Sequence, residues 1–94
     1  MIKVNEYFDG RVKSFGIESA EGRQTVGVIK PGDYEFTTDS SEVMTVVFGK
    51  ISLYYPQYNE WEEFERGSSF SVLAKSAFKI KVEQDSAYLC EYGI

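Results

Sequence analysis

The 94-residue sequence predicts an all-β fold, and three observations point to it. Aromatic residues make up 16% of the chain, and together with β-branched residues they favour strands. Apolar and polar residues alternate in short runs, which is the period of a strand with one buried face. Turn-forming pairs separate these runs every eight to twelve residues or so. The pattern is typical of an antiparallel sandwich or barrel of about nine short strands.

The N-terminal segment, residues 1–8, is expected to form an arm or an edge strand that ends in an aromatic anchor. Asp9-Gly10 follows it as a favourable two-residue hairpin turn, because both residue types tolerate positive φ angles. Residues 11–19 then have the composition of a strand, whose apolar members include Phe15 and Ile17.

A further strand is predicted over residues 24–30, after a turn at Glu21-Gly22. Its apolar residues alternate with other types, as in a half-buried strand. Gly27 interrupts this run, and a glycine inside a strand indicates a bulge or a close backbone approach.

The centre of the chain begins with Pro31-Gly32, a pair that suits a tight turn. Residues 33–37 alternate between aromatic and polar side chains, so they predict a half-buried strand. The short polar run 38–41 predicts a loop. Residues 43–48 are apolar on both faces, as expected for a central strand of a closed β structure.

The C-terminal half alternates cleanly over residues 51–55, and a shorter strand is predicted over 61–65. In this second strand Trp61 and Phe64 stand three positions apart, and strict alternation does not put both on one face. A bulge or a later strand start would remove the conflict. The last strands are predicted at residues 70–72, 78–82 and 87–92.

Composition limits the function classes. A chain of this length is expected to form one domain over residues 1–94, near the lower size limit for a sufficient core, which favours a homodimer. The net charge of −5 argues against nucleic acid or an anionic membrane as the main partner. No apolar run approaches the ~20 residues of a membrane helix, and no signal peptide is seen. The lone Cys90 fits a cytoplasmic location.

Histidine is absent from the sequence. Its absence excludes Ser-His-Asp and Cys-His catalysis by this chain. Zinc is also an improbable ligand, because one cysteine and carboxylates alone rarely supply its coordination sphere. We therefore expect no metal and no organic cofactor.

The central segment resembles the first motif of the cupin family, in which a glycine opens a strand and two histidines and a glutamate bind a metal. Gly32 matches the opening glycine, Glu42 the glutamate and Gly49 the closing glycine. The histidine positions fall at Thr38 and Ser40, so the segment resembles a cupin that has lost its metal ligands.

Nearly the whole chain is similar to the pyrimidine/purine nucleoside phosphorylase family of short bacterial cupins. The matching motifs are NEYFDGRVKSFG (5–16), TVGVIKPGDYEFTT (25–38), EVMTVVFGKI (42–51), GSSFSVLAKSAFKIKV (67–82) and AYLCEY (87–92). Many members have Val-Pro where this chain has Leu73-Ala74. The resemblance implies a single cupin domain with a double-stranded β-helix, or jelly-roll, barrel. It also implies cleavage of purine and pyrimidine nucleosides by inorganic phosphate, giving free base and ribose 1-phosphate.

Such a reaction needs an anion site, a grip on the sugar and a surface for the base. Arg23 is the first choice for phosphate, because arginine binds phosphate in a bidentate way and keeps its charge. Further candidates for this role are Arg11, Lys13, Thr25, Thr38 and Ser40.

Glu42 is the candidate catalytic residue, because it occupies the position at which metal cupins place an inward ligand. A carboxylate in that position needs a hydrogen-bond partner or a raised pKa, and ribose hydroxyls or a base nitrogen would serve. A rim position with a basic partner is equally compatible with the sequence. Candidates for stacking on or lining the base site are Tyr7, Phe8, Tyr34, Phe36, Met44, Tyr88 and Tyr92.

Two other functions fit the same residues. A non-enzymatic cupin would bind a nucleoside or sugar phosphate without turnover. A sugar-modifying enzyme would use carboxylates and would work without phosphate. Phosphate-dependent turnover separates the phosphorylase from both.

Overall fold

The computed structural model describes residues 1–93, which form ten β-strands and no helix. The strands are β1 (Val4–Tyr7), β2 (Val12–Ser19), β3 (Gly22–Ile29), β4 (Gly32–Thr37), β5 (Glu42–Phe48), β6 (Lys50–Tyr55), β7 (Glu60–Glu65), β8 (Ser69–Val72), β9 (Ala77–Val82) and β10 (Ser86–Tyr92). Within that range, no helix has the length and apolar character needed to cross a membrane.

The strands form two sheets that face each other across one hydrophobic core. The larger sheet has the order β1-β2-β3-β10-β5-β8, and the smaller has the order β4-β9-β6-β7. Strand pairs in both sheets are antiparallel. The all-β prediction is therefore confirmed.

Strand β9 shows how the alternation builds that core. Phe78, Ile80 and Val82 are almost completely buried, while Lys79 and Lys81 point to solvent. Burying a side chain of this size contributes about 1.5–3 kcal/mol, so the three inward residues fix the face that β9 presents. A shift of one residue in register would bury the two lysines instead.

Gly27 on β3 allows a close approach, as the sequence indicated. It is paired with Tyr88 of β10, and the tyrosine ring lies over its Cα. A Cβ atom at position 27 would stand 2.5 Å from Cζ of Tyr88, where no real contact of this kind occurs. Of the two alternatives, close approach is the correct one, and this glycine gives the inward Tyr88 its room.

The first hairpin differs from its prediction. Asp9-Gly10 is part of a four-residue turn, because β1 and β2 end in a pair between Tyr7 and Val12. Phe8 and Asp9 both have positive φ angles, and the amide of Gly10 donates to the carbonyl of Tyr7 at 3.1 Å. The longer turn lets the Phe8 ring pack back on the core.

Two apolar patterns also have different explanations from those expected. The outer face of β5 is not covered, since Val47 and Phe48 are 49% and 53% exposed. On β7, Trp61 and Phe64 lie on opposite faces of a regular strand, so neither a bulge nor a late start is present. Phe64 packs on Phe70 with the ring centroids 4.8 Å apart, whereas the outward Trp61 ring lies 5.3 Å from that of Tyr54.

We predict that Gly27→Ala destabilises the fold by about 1–3 kcal/mol, because the new methyl group must displace the Tyr88 ring. Urea unfolding measures the loss. Gly16→Ala is the matched control in a neighbouring strand, since a Cβ there would meet Lys3 at 3.5 Å, an ordinary contact. A double-mutant cycle with Tyr88→Ala should show coupling; strictly additive effects would refute the steric explanation.

Candidate functional site

A cavity of about 580 Å³ opens between the two sheets at one end of the barrel. This volume lies within the roughly 300–1,000 Å³ of small-molecule sites. The larger sheet supplies most of its wall, and Phe36 of β4 and Phe78 of β9 come from the smaller sheet. The lining residues that carry the argument are Glu42, Arg23, Thr25, Tyr88, Cys90 and Tyr92.

The cavity is apolar where it is deepest and charged where it opens. Ile29, Met44 and Phe78 line it and are buried. Lys3 and Arg23 line it near solvent, together with carboxylates. A ligand that fits this gradient has an uncharged ring at one end and an anion at the other.

Strand β10 organises the polar part of the wall. Alternate residues of a strand lie on the same face, and the inner face of β10 carries Tyr88, Cys90 and Tyr92. The register pairs Cys90 with Thr25 of β3 and with Met44 of β5. Three strands therefore place a hydroxyl, a thiol and a thioether side by side.

Glu42 begins β5 directly opposite Tyr92 and is half-buried in the cavity wall. The thiol of Cys90 donates a hydrogen bond to Oε1 of Glu42 at 3.3 Å. Burial raises the pKa of Glu42 above its ordinary value of 4.5, and the Cys90 bond and the charge of Arg23 oppose this rise in part. The residue is therefore a carboxyl group whose proton is held more tightly than usual.

Arg23, Tyr92 and Thr25 form a second cluster beside the first. The Arg23 guanidinium lies over the Tyr92 ring, 4.3 Å from its centroid. The Tyr92 hydroxyl is 3.1 Å from Oγ1 of Thr25. Burial raises the pKa of Tyr92, so this phenol stays protonated at neutral pH. The stacking holds the exposed arginine at the mouth of the cavity.

Tyr88 lies deeper in the wall. Burial raises its pKa to about 12, although a hydrogen bond with Ser14 acts in the opposite direction. Nδ2 of Asn5 in turn donates to Oγ of Ser14 at 3.2 Å. This chain of contacts connects the edge strand β1 to the cavity wall.

Of the fourteen candidate site residues named from the sequence, five do not line the cavity, and they are Phe8, Arg11, Lys13, Tyr34 and Thr38. Thr38 is buried, and its hydroxyl donates to the carbonyl of Leu73 at 2.6 Å, so it joins two loops. Phe8 packs edge-on against Tyr34 and Phe36, at centroid distances of 5.0 and 5.4 Å. The cavity wall does contain the other nine, which are Tyr7, Arg23, Thr25, Phe36, Ser40, Glu42, Met44, Tyr88 and Tyr92.

The two other basic candidates for the anion site also lie elsewhere. Arg11 lies over the Tyr34 ring and donates to the carbonyl of Phe8. Lys13 pairs with Glu6 on the outer face of the larger sheet, at 3.5 Å. Neither side chain is part of the cavity wall.

Sequence reasoning missed Asn5 and Ser14 as cavity residues. It named Phe15 and Ile17 only as apolar members of this strand, whereas Val12, Ser14 and Gly16 share the inner face. Val12 was the available signal. Side chains two positions apart lie on the same face of a strand, so an inward Val12 implies an inward Ser14. This signal was hard to recognise because the larger apolar residues, Phe15 and Ile17, lie on the outer face.

The donor groups of the cavity do not suit a metal. Among residues 1–93 no three His, Cys, Asp or Glu side chains are grouped so that they could hold an ion. The hydroxyl of Thr38, which the resemblance places near a cupin histidine position, donates to the carbonyl of Leu73.

Comparison with known proteins places these features in context. The family model described as pyrimidine/purine nucleoside phosphorylase matches residues 2–92. A pyrimidine/purine nucleoside phosphorylase from Pseudomonas entomophila (strain L48) is 54% identical over 92 residues, which cover 98% of both chains.

Solved structures show the same architecture. A crystal structure of a protein of unknown function from Vibrio parahaemolyticus superposes with a TM-score of 0.94 at 41% identity and covers 98% of each chain. An RmlC-like cupin from Shewanella frigidimarina superposes with a TM-score of 0.75 at 14% identity, covering 96% of this chain and 81% of its own. The second likeness concerns the fold alone, and it confirms the expected cupin barrel.

We predict that Glu42→Gln stabilises the protein, relative to the native chain, increasingly as the pH rises from about 4.5 to 7. A raised pKa means that folded Glu42 holds its proton more tightly than the unfolded chain does. The native protein therefore loses stability as the pH passes through that interval, whereas the amide does not titrate. Melting temperatures of both proteins across the range give the difference.

Glu91→Gln makes the same chemical change on the outer face of the neighbouring strand β10 and is the control. A Glu42→Gln difference that stays constant or falls with rising pH would contradict the assigned direction of the Glu42 pKa.

Proposed function

The chain belongs to the pyrimidine/purine nucleoside phosphorylase family and is a nucleoside phosphorylase, and we propose that the cavity beside β10 is its active site. Its substrates are then a nucleoside and inorganic phosphate. The observation that carries the assignment of the site is the half-buried Glu42 carboxyl group, which lies beside Arg23 in a cavity that suits a small molecule.

The reaction exchanges one bond at the sugar for another. A phosphate oxygen forms a bond to C1′ of the ribose, the bond from C1′ to the base nitrogen breaks, and its electron pair leaves with the base. The base takes up one proton, and ribose 1-phosphate is the second product. Because positive charge develops on the sugar ring in the transition state, positioning and electrostatics carry most of the rate.

Arg23 is assigned to the phosphate. Its guanidinium keeps its charge at all relevant pH values and offers a planar pair of donors that match a phosphate. The Tyr92 ring under it limits the orientations that the side chain adopts. Thr25 and Ser40 add hydroxyl donors to the same wall.

Glu42 is assigned to the sugar hydroxyls or the leaving base. Its raised pKa makes the carboxyl group a stronger proton acceptor than an ordinary glutamate. As a carboxylate it accepts hydrogen bonds from ribose and lowers the energy of positive charge on the ring. As an acid it delivers a proton to the base nitrogen.

The base is assigned to the less polar part of the cavity, with Phe36 as a stacking surface and Met44 as an adaptable wall, whereas Tyr7 and Tyr92 contact it from nearer the mouth. An aromatic face stacks on purines and pyrimidines alike. This supports action on both classes of nucleoside. The proposed chemistry uses no metal and no organic cofactor; the donor set described above supports the first of these expectations.

We predict that purified protein releases base from uridine and adenosine only when inorganic phosphate is added, and that chelator treatment leaves the rate unchanged. Arg23→Ala should raise the KM for phosphate at least tenfold, because the fixed cation is lost. Glu42→Gln should lower kcat about 10²-fold or more, as expected for a residue that acts in proton transfer.

Lys50→Ala is the control for Arg23→Ala. It removes one positive charge from the smaller sheet, where Lys50 pairs with Glu63 and Glu65, and should leave the KM for phosphate unchanged. Full activity in both site variants would overturn the residue assignments. Nucleoside binding without turnover would favour a ligand-binding cupin, and base release without phosphate would favour a hydrolytic carboxylate enzyme.

The outer face of the larger sheet supports a homodimer. The strand registers place Val4, Phe15, Val26 and Leu89 in one row across four strands. Exposed apolar neighbours extend this row, and they are Ile17, Val28, Val47 and Phe48. At ~4.8 Å between strands and ~3.3 Å per residue, the face measures roughly 24 by 20 Å. Two copies would bury on the order of 1,000 Å², the minimum for a specific interface.

We predict that the protein elutes at twice its chain mass of 10.7 kDa and that Phe15→Lys converts it to a monomer. Light scattering after gel filtration measures both masses. Trp61→Lys is the matched control, since Trp61 is 46% exposed on the other sheet and Phe15 is 47% exposed. A native monomer, or a Phe15→Lys dimer that stays intact, would show that this face is not the interface.

A cytoplasmic location completes the proposal. Cys90 is a buried free thiol, which suits a reducing compartment. The products, a free base and a pentose phosphate, are those expected of a transferase in nucleotide salvage.

A further inference from the structure

A second cleft lies at the edge where the barrel does not close. Strands β7 and β8 are joined by a short turn at residues 66–68, yet they belong to different sheets and each is an edge strand. Backbone pairing therefore does not seal the barrel between them. The resulting cleft has a volume of about 750 Å³ and shares no lining residue with the nucleoside cavity.

Aromatic rings form the walls of this cleft. The Tyr55 and Tyr58 rings meet edge to face at 5.7 Å, and the Phe64 and Phe70 rings meet at 4.8 Å. Leu73 completes the opening and is 62% exposed, while Tyr58 is 66% exposed. Large apolar side chains at that exposure, on both sides of an aromatic floor, are typical of a surface that a ligand covers.

The charges that line the cleft have one sign. Glu60 and Glu62 share the inward parity of β7 with Phe64, and both line the cleft. No lysine or arginine is among the lining residues, and within residues 1–93 neither carboxylate is in an ion pair. The lysine nearest in register, Lys50, pairs on the outer face of β7 instead.

Protection of the edge strand explains only part of this arrangement. Inward-pointing charges discourage edge-to-edge aggregation, and Glu60 and Glu62 serve that purpose. Edge protection gives no reason for the exposed Tyr58 and Leu73, which add apolar surface at the same edge. The rings and the carboxylates together fit one kind of ligand, a cation with an apolar shell.

We propose that this cleft binds a small organic ammonium ion, preferably a methylated one. The faces of Tyr58 and Phe64 attract a cation through their ring quadrupoles, and methyl groups on the nitrogen fill the apolar walls. Glu60 and Glu62 neutralise the charge without requiring a direct hydrogen bond. Gln57 at the rim accepts or donates to a polar tail of the ligand. The inference does not depend on the phosphorylase site.

The test uses choline as the probe and 3,3-dimethyl-1-butanol as its neutral counterpart, in which carbon replaces the charged nitrogen. Amide resonances of the isotope-labelled full chain are followed during titration. We expect saturable shifts at Tyr58, Phe64 and Leu73, with a Kd of about 1 mM or below. The neutral alcohol should bind at least about tenfold more weakly, because it gains no cation–π attraction.

Paired variants separate the cleft from general charge attraction. Replacing Glu60 and Glu62 together by glutamine should weaken choline binding about tenfold. The same double replacement at Glu63 and Glu65 removes two charges from the outer face of the same strand and should leave the Kd unchanged. Phosphate-dependent base release should stay at the native rate in both variants.

Three results would overturn the proposal. One is the absence of saturable shifts at choline concentrations of about 20 mM, well above the expected Kd. Another is equal affinity for the neutral alcohol, which would show an apolar cleft that does not select cations. The third is a set of shifts in the same residues that depends on protein concentration without ligand, which would show that a second copy covers the cleft.

Discussion

The register of β10 between β3 and β5 is the constraint on which the cavity wall depends. A shift of one residue would turn Tyr88, Cys90 and Tyr92 outward and bury Leu89 and Glu91 in their place. The Tyr88 ring fits over Gly27 only in the observed pairing, so packing as well as hydrogen bonding selects it. Because β10 is the last strand, the polar wall is completed only when the end of the chain has found its place.

The residues around the cavity differ from the rest of the core in polarity. Most buried residues are apolar, but Ser14, Thr25 and Glu42 occupy inward positions around the cavity. Each hydroxyl has a partner in the wall, whereas the Glu42 carboxyl group bears a desolvation cost that Cys90 and Arg23 offset in part. Departures of this kind collect at functional sites, where activity is retained at the expense of stability.

The sequence was informative where only one face of a strand is apolar, as in β9, and at Gly27, where it left two alternatives and one of them is correct. It was ambiguous where both faces are apolar. On β2, Phe15 and Ile17 suggested the core although they lie on the outer face. Alternation cannot identify the inner face of such a strand, because a second apolar surface exists outside the core. Thr38 bonds the carbonyl of Leu73, in a loop that lies far along the chain. A local sequence pattern does not predict such a contact.

The two cavities differ in the charges that line them. The protein has a net charge of −5, so its field as a whole repels phosphate. At physiological ionic strength, however, charges interact over only about 8 Å, and local groups decide. Arg23 and Lys3 line the cavity beside β10 together with Glu18, Asp39 and Glu42, whereas the charged residues that line the cleft beside β7 are carboxylates alone. Of these two cavities, only the one beside β10 therefore offers an anion a fixed positive charge.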